Sequence, residues 1–115
     1  MPSSSPTFNE GDIVLAALQQ SDGSYKTRPT LLLRQMPGYG DYLTCGLSSQ
    51  LHQLIPGFGE LLRPDADNSL RVPSIIRLEY LSLLPSGRIQ GYLGHIPLTL
   101  HTDLLQRLAT HLITP

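Results

Sequence analysis

The chain has 115 residues, the size of one compact domain with one small core. Hydrophobic residues make up 40% and charged residues 15%, and the formal net charge of −1 excludes a globally basic nucleic-acid binder, so any such site must be a local patch. A single cysteine, Cys45, excludes an intramolecular disulfide and a cysteine zinc knuckle. No apolar run approaches the ~18 residues needed to span a membrane, so the expected setting is the reducing cytoplasm, without membrane contact.

Residues 1–7 are polar and rich in Pro and Ser. They read as a disordered tail with no signal peptide, and one ordered domain is expected over 8–115. Residues 12–18 form a short apolar run entered through Gly11, the first strand. Residues 19–27 are polar, with Asp22-Gly23 as a turn signal, and read as a loop. A second strand over 30–35 is led in by Pro29, and a third over 41–47 follows the turn at 36–40, making a hairpin. Residues 48–56 fit no period. A short strand over 58–62, a turn over 63–69, a long strand over 72–83 and a last strand over 88–93 complete the sheet. The period then changes: Leu100, Leu104, Leu108 and Leu112 recur every four residues, an amphipathic helix that Thr99 or Thr102 can cap, with Asp103 near its start. Several short antiparallel strands followed by one helix point to a mainly β (α+β) fold, a small curled SH3-like barrel with a C-terminal α-helix packed on it.

The histidines offer little chemistry. His101 and His111 lie on the helix ten residues apart, and nothing in the sequence brings His52 near His95. No His pair has metal-ligand spacing, and no Gly-x-Ser-x-Gly elbow is present, so neither metal nor cofactor is expected. Two polar clusters say more. Arg28 follows Ser24 and Lys26 and precedes Pro29, which biases it toward an extended backbone and lets a guanidinium fork face a phosphate. Ser48-Ser49-Gln50 ends the third strand with hydrogen-bonding groups suited to phosphate oxygens. On composition alone, a surface arginine closing a strand and a Ser-rich loop start are the favoured readings of the two clusters.

The order of these pieces resembles the PemK/MazF-like family of toxins from type II toxin–antitoxin systems. The matching pieces are Gly11-Asp12-Ile13-Val14, Asp22-Gly23-Ser24, Lys26-Thr27-Arg28-Pro29, Leu47-Ser48-Ser49-Gln50, the stretch from Leu70 to Leu78, and Tyr92-Leu93-Gly94-His95-Ile96. The resemblance implies a homodimeric, metal-independent endoribonuclease that cuts single-stranded RNA at short sequences by attack of the RNA 2′-hydroxyl, and a cognate antitoxin partner. By position it puts Arg28 and Ser48 in the catalytic roles. Ser24, Lys26, Ser49, Gln50 and Arg77 would bind the RNA, and Tyr25 or Tyr39 could stack a base. Two departures stand out: Ser48 takes the place of the family's Thr, and Gly46 that of its Pro. A catalytically weakened toxin that mainly binds its antitoxin is one alternative. A gyrase-binding, CcdB-like non-enzyme is another, although the chain end Leu112-Ile113-Thr114-Pro115 lacks the Trp of such toxins.

Overall fold

The computed structural model describes residues 8–115, so the expectation for the N-terminal tail lies outside the described residues. Six strands, β1 (Asp12–Gln19), β2 (Tyr25–Gln35), β3 (Tyr42–Ser48), β4 (Glu60–Leu62), β5 (Ser74–Leu84) and β6 (Ile89–His95), precede one helix, α1 (Leu98–Ile113). They form a single sheet in the order β4-β5-β3-β2-β1-β6, antiparallel throughout. The sheet curls into a half-barrel closed by α1, the architecture the sequence predicts.

The central strands are apolar runs rather than strict alternations because both faces of the sheet are covered. Ile13, Leu31, Leu33, Cys45 and Ile76 join Leu104 and Leu108 of α1 in the larger core. Val14, Ala16, Leu18 and Leu32 point the other way and pack with Tyr42 and Leu84 in a second core.

Strand β2 starts five residues earlier than its composition suggests. Tyr25–Pro29 pair with β1, Lys26 opposite Leu18 and Arg28 opposite Ala16. Their side chains are mostly exposed, so they look like loop in sequence while their backbones complete a hairpin. On the β3 side the ladder starts only at Thr30, opposite Gly46. Pro29 therefore sits inside a strand beside a free edge, where a residue without an N–H is tolerated. The Asp22-Gly23 turn closes this hairpin, with Gln20 N–H donating to Ser24 O at 2.6 Å.

Helix α1 differs from expectation at its start. Pro97 occupies the N-cap without a side-chain hydrogen bond, and both Thr99 and Thr102 lie inside the helix. Proline suits a helix entry because its φ is preset. Asp103 instead pairs with Arg107 one turn on. The helix is pinned to the sheet by polar contacts as well as leucines. The buried His101 donates Nε2–H to Leu33 O at 2.7 Å. Arg107 donates to Gly59 O at 2.9 Å and Glu60 Oε1 at 2.8 Å. The leucine line runs off the sheet at its end, and Leu112 is 69% exposed.

The turn between β4 and β5 is built on the buried Asn68. Its Oδ1 accepts from the N–H groups of Asp65 (3.1 Å) and Leu70 (3.0 Å), and its Nδ2 donates to Arg63 O at 2.8 Å. The turn lies against Gly94 of β6, where a Cβ would fall onto Asp67 O and the Asn68 carbonyl. Gly94→Ala should therefore destabilise the fold by about 1–3 kcal/mol through overpacking. Gly91→Ala, with open space around its Cβ, should cost much less. Urea unfolding followed by circular dichroism checks the difference.

Candidate active site

The site forms where β2, β3 and β5 meet, and a break in the β3–β5 ladder shapes it. Cys45 pairs with Leu81, but the next residue, Gly46, pairs with Arg77. Leu78, Glu79 and Tyr80 are the excess on β5. A bulge of this kind bends the strand and re-aims its side chains. Leu78 turns into the core, while Glu79 and Tyr80 emerge at the surface. The Tyr80 ring lies close to Gly46, where an added Cβ would meet it at 3.5 Å, and the Arg77 guanidinium stacks 5.2 Å from the ring centroid.

Two clefts open on this surface. The first, of about 260 Å³, is lined by Gln20, Arg28, Gly46, Ser48, Gln50, Gln53, Arg77 and Tyr80 among others. The second, of about 390 Å³, is lined on the far side by Ser69, Arg71, Val72 and Leu93. Arg28, Pro29, Leu47, Ser48 and Gln50 line both, so Arg28 and Ser48 sit on the ridge between them. Arg28, at the free edge of β2, is exposed and touches only a neutral partner, Gln20 Oε1, at 3.4 Å. It forms no ion pair among the described residues. Ser48 ends β3 in a tight turn: its Oγ accepts from Gln50 N–H at 3.0 Å and donates to Gln53 Oε1 at 3.2 Å. Its hydroxyl proton thus has a fixed direction, and one acceptor position stays open.

The other sequence-predicted residues divide. Ser49 lines the second cleft, and Gln50 lines both. Arg77 faces the first cleft with its charge largely countered by Glu79, 2.9 Å from its Nε. Ser24 and Lys26 line neither cleft. Ser24 Oγ–H is bound to Asp22 Oδ1 at 2.6 Å in the hairpin turn, and this bond, with the Ser24 N–H bond, holds the Asp22 carboxyl below its ordinary range. Tyr25 lies under the Arg88 guanidinium at 4.8 Å, and Tyr39 stands free in a distant turn. Sequence reasoning missed Gln20, Gln53, Tyr80 and Arg71. The bulge brings Tyr80 and the Asn68 turn brings Arg71, whereas Gln20 arrives with the end of β1 and Gln53 with the 3₁₀ turn after β3, and none of these has a motif.

The histidines stay apart from the ridge. His52 lies in the short 3₁₀ turn Leu51–Gln53, and His95 contacts Tyr92 OH at 3.0 Å. The His111 ring stands 5.2 Å from Phe58, and His101 is the helix anchor. Among the described residues no cluster of three His, Cys, Asp or Glu side chains could hold a metal ion. Among the described residues no helix is long and apolar enough to cross a membrane.

A family model described as the PemK-like, MazF-like toxin of type II toxin–antitoxin systems matches residues 9–112. The chain belongs to this toxin family. Among solved structures it is similar to the Mycobacterium tuberculosis toxin MazF-mt6, at 19% sequence identity with a TM-score of 0.65, covering 90% of this chain and 98% of that one. At that identity the likeness is one of fold. A search of curated protein sequences finds no match.

The one thiol of this PemK-like toxin stands next to the register break but takes no part in the site. Cys45 is buried, and burial pushes its thiol far above the ordinary range, away from the reactive thiolate. The folded toxin should leave a disulfide reagent unreacted at pH 8, with one thiol released on unfolding in urea. Rapid reaction of the native protein would contradict the burial.

Proposed function

We propose that this toxin is an endoribonuclease that cuts single-stranded RNA at selected short sequences without a metal ion or cofactor. The observation that carries the reading is the ridge: an arginine with no countering carboxylate and a hydroxyl of fixed orientation share the walls of both clefts. An RNA phosphate on the ridge meets a guanidinium fork from β2 and a hydroxyl from β3.

The chemistry then needs no protein nucleophile. The RNA 2′-oxygen attacks the adjacent phosphorus, the bond to the 5′-oxygen breaks, the 2′-proton leaves to solvent and the departing oxygen gains one. Arg28 offsets the charge growing on the phosphoryl oxygens. Ser48 orients the phosphate by turning its hydroxyl proton from Gln53 Oε1 to a phosphoryl oxygen, while Ser49, Gln50 and Arg77 contact flanking nucleotides and Ser24 and Lys26 meet the strand farther along the hairpin. The toxin works as a homodimer in the cytoplasm; the exposed Leu81 and Leu83 on one cleft, and Tyr92 and Leu98 on another, are apolar groups that a second copy would cover, which supports the dimer. An acidic antitoxin segment that orders on binding would lay carboxylates against Arg28 and compete with RNA.

A weaker nuclease that mainly binds its antitoxin is the second reading. The observation favouring it is that the Ser48 hydroxyl is already engaged by Gln50 and Gln53.

Single-turnover cleavage of an RNA substrate tests the reading. Arg28→Ala should lose ~10²–10³ in rate. Ser48→Ala should lose far less, since one neutral hydrogen bond contributes about 0.5–1.5 kcal/mol. Arg28→Lys should rescue poorly, because an ammonium cannot reproduce the fork. Cleavage should survive EDTA. Full activity in a folded Arg28→Ala protein would overturn the mechanism, and a wild-type protein that binds its antitoxin but cuts nothing would establish the second reading.

A further inference from the structure

The second cleft lies beyond the ridge, walled by the β4–β5 turn, and nothing in the reading above gives its far wall a role. Two features mark it. Arg71 at its mouth is exposed and forms no ion pair among the described residues, whereas Arg77 in the first cleft is countered by Glu79. Its far wall also combines the exposed Val72 with the half-buried Leu93, an apolar surface beside a free cation. A nucleotide presents the matching pair, an anionic phosphate and a flat apolar base.

The wall is preformed. Asn68 and Asp65 tie the turn internally, Asp65 Oδ1 accepting from Asp67 N–H at 2.9 Å and Asn68 N–H at 2.7 Å. His95 N–H donates to Asp67 O at 2.9 Å and fixes the turn to β6. Ser69, between Asn68 and the cleft, holds a left-handed φ of 56°, a conformation a non-glycine residue keeps only where its surroundings impose it. A turn this constrained can hold Arg71 at the cleft mouth at little entropic cost on binding.

We propose that this cleft is a second nucleotide subsite of the same RNA groove, in which Arg71 takes the phosphate adjoining the one on the Arg28–Ser48 ridge and Val72 and Leu93 wall the neighbouring base. This rests on the endoribonuclease reading and extends it: one subsite supplies uncompensated charge, and the other, with Gln20, Gln50, Gln53 and Tyr80, supplies polar contacts. The strand crosses the ridge with a nucleotide on each side.

The test separates binding from cleavage. The probe is a fluorescein-labelled, mixed-sequence 12-nucleotide single-stranded DNA, which has no 2′-hydroxyl and cannot be cut by this route. Its affinity for the full chain is read by anisotropy across 50–200 mM KCl. Each phosphate contact in a single strand contributes about 0.7 to the slope of log affinity against log salt. Arg71→Ala should lower the slope by about that amount and weaken binding roughly fivefold at low salt. Arg71→Lys should keep the slope, because the slope counts charges. Arg63→Ala, in the same turn but lining neither cleft, should behave as wild type. If wild-type protein cuts RNA while Arg71→Ala binds the probe with unchanged slope, the subsite is wrong and the nuclease reading stands. Equal losses in Arg63→Ala would reduce the effect to general surface charge and also refute the subsite. If wild-type protein neither binds the probe nor cuts RNA, the nuclease reading falls and the subsite with it.

Discussion

Between Cys45 and Gly46 the β3–β5 ladder jumps from Leu81 to Arg77, and that jump governs what the groove contains. In an unbroken register, each residue of β5 would stay opposite β3, and its side chains would alternate between core and solvent. The excess of three residues removes Leu78, Glu79 and Tyr80 from the ladder. It lets Tyr80 lie by Gly46 and brings Arg77 to the wall opposite Arg28. It also changes what Gly46 does. At this position the family carries a proline, and here the backbone is left bare under an aromatic ring, with ordinary van der Waals room for one methyl group. The stiffness that a proline would give the end of β3 comes instead from the Ser48 turn and its two glutamine contacts.

Charge is arranged on the same local principle. With a net charge of −1, the protein has no long-range field to draw in a polyanion. Arg34, Arg77 and Arg107 are all paired with carboxylates. Arg28, Arg63, Arg71 and Arg88 form no ion pair among the described residues, and of these Arg28 and Arg71 stand on the walls of one cleft. Local selectivity of this kind favours an anion that can reach two cations at once, as successive phosphates of a flexible strand do. It gives little hold on a rigid duplex, whose phosphates cannot follow a concave wall.

Much of this was legible in the sequence, and the failures have particular causes. Strands β1, β3 and β5 are apolar enough to be read directly, and the four-residue leucine spacing gave α1 nearly to its ends. The first half of β2 was not legible, because Lys26, Thr27 and Arg28 point into water while their backbones pair with β1; composition reports side chains, not ladders. The helix start was misjudged because Pro97, with its preset φ, begins the helix before either threonine can cap it. At the site, Arg28 and Ser48 could be placed by likeness to a family, and their neighbourhood on one ridge is a matter of strand order. Gln53, Tyr80 and Arg71 had no signal. Tyr80 and Arg71 are placed by a bulge and an Asn-centred turn set by tertiary packing, and Gln53 by a short 3₁₀ turn in a stretch whose composition fits no period.

The ridge joins two parts that are held separately. Ser48 ends β3, paired there with β5 alone and held by its turn to Gln50 and Gln53. Arg28 stands on a hairpin arm paired with β1 alone, with its other edge free from Tyr25 to Pro29. Thr30, fully buried and bound through Oγ1 to Arg28 O at 3.2 Å, is the point where the arm leaves the body of the sheet. Ala16, the partner of Arg28, pairs on its far side with Ile89, and Thr27 Oγ1–H donates to Gln90 Oε1 at 3.0 Å, so the arm is tied to β6 rather than to β3. The guanidinium and the hydroxyl therefore hang from two strand ends that no ladder joins to each other, each placed by its own short-range bonds, Arg28 to Gln20 and Ser48 to Gln50 and Gln53.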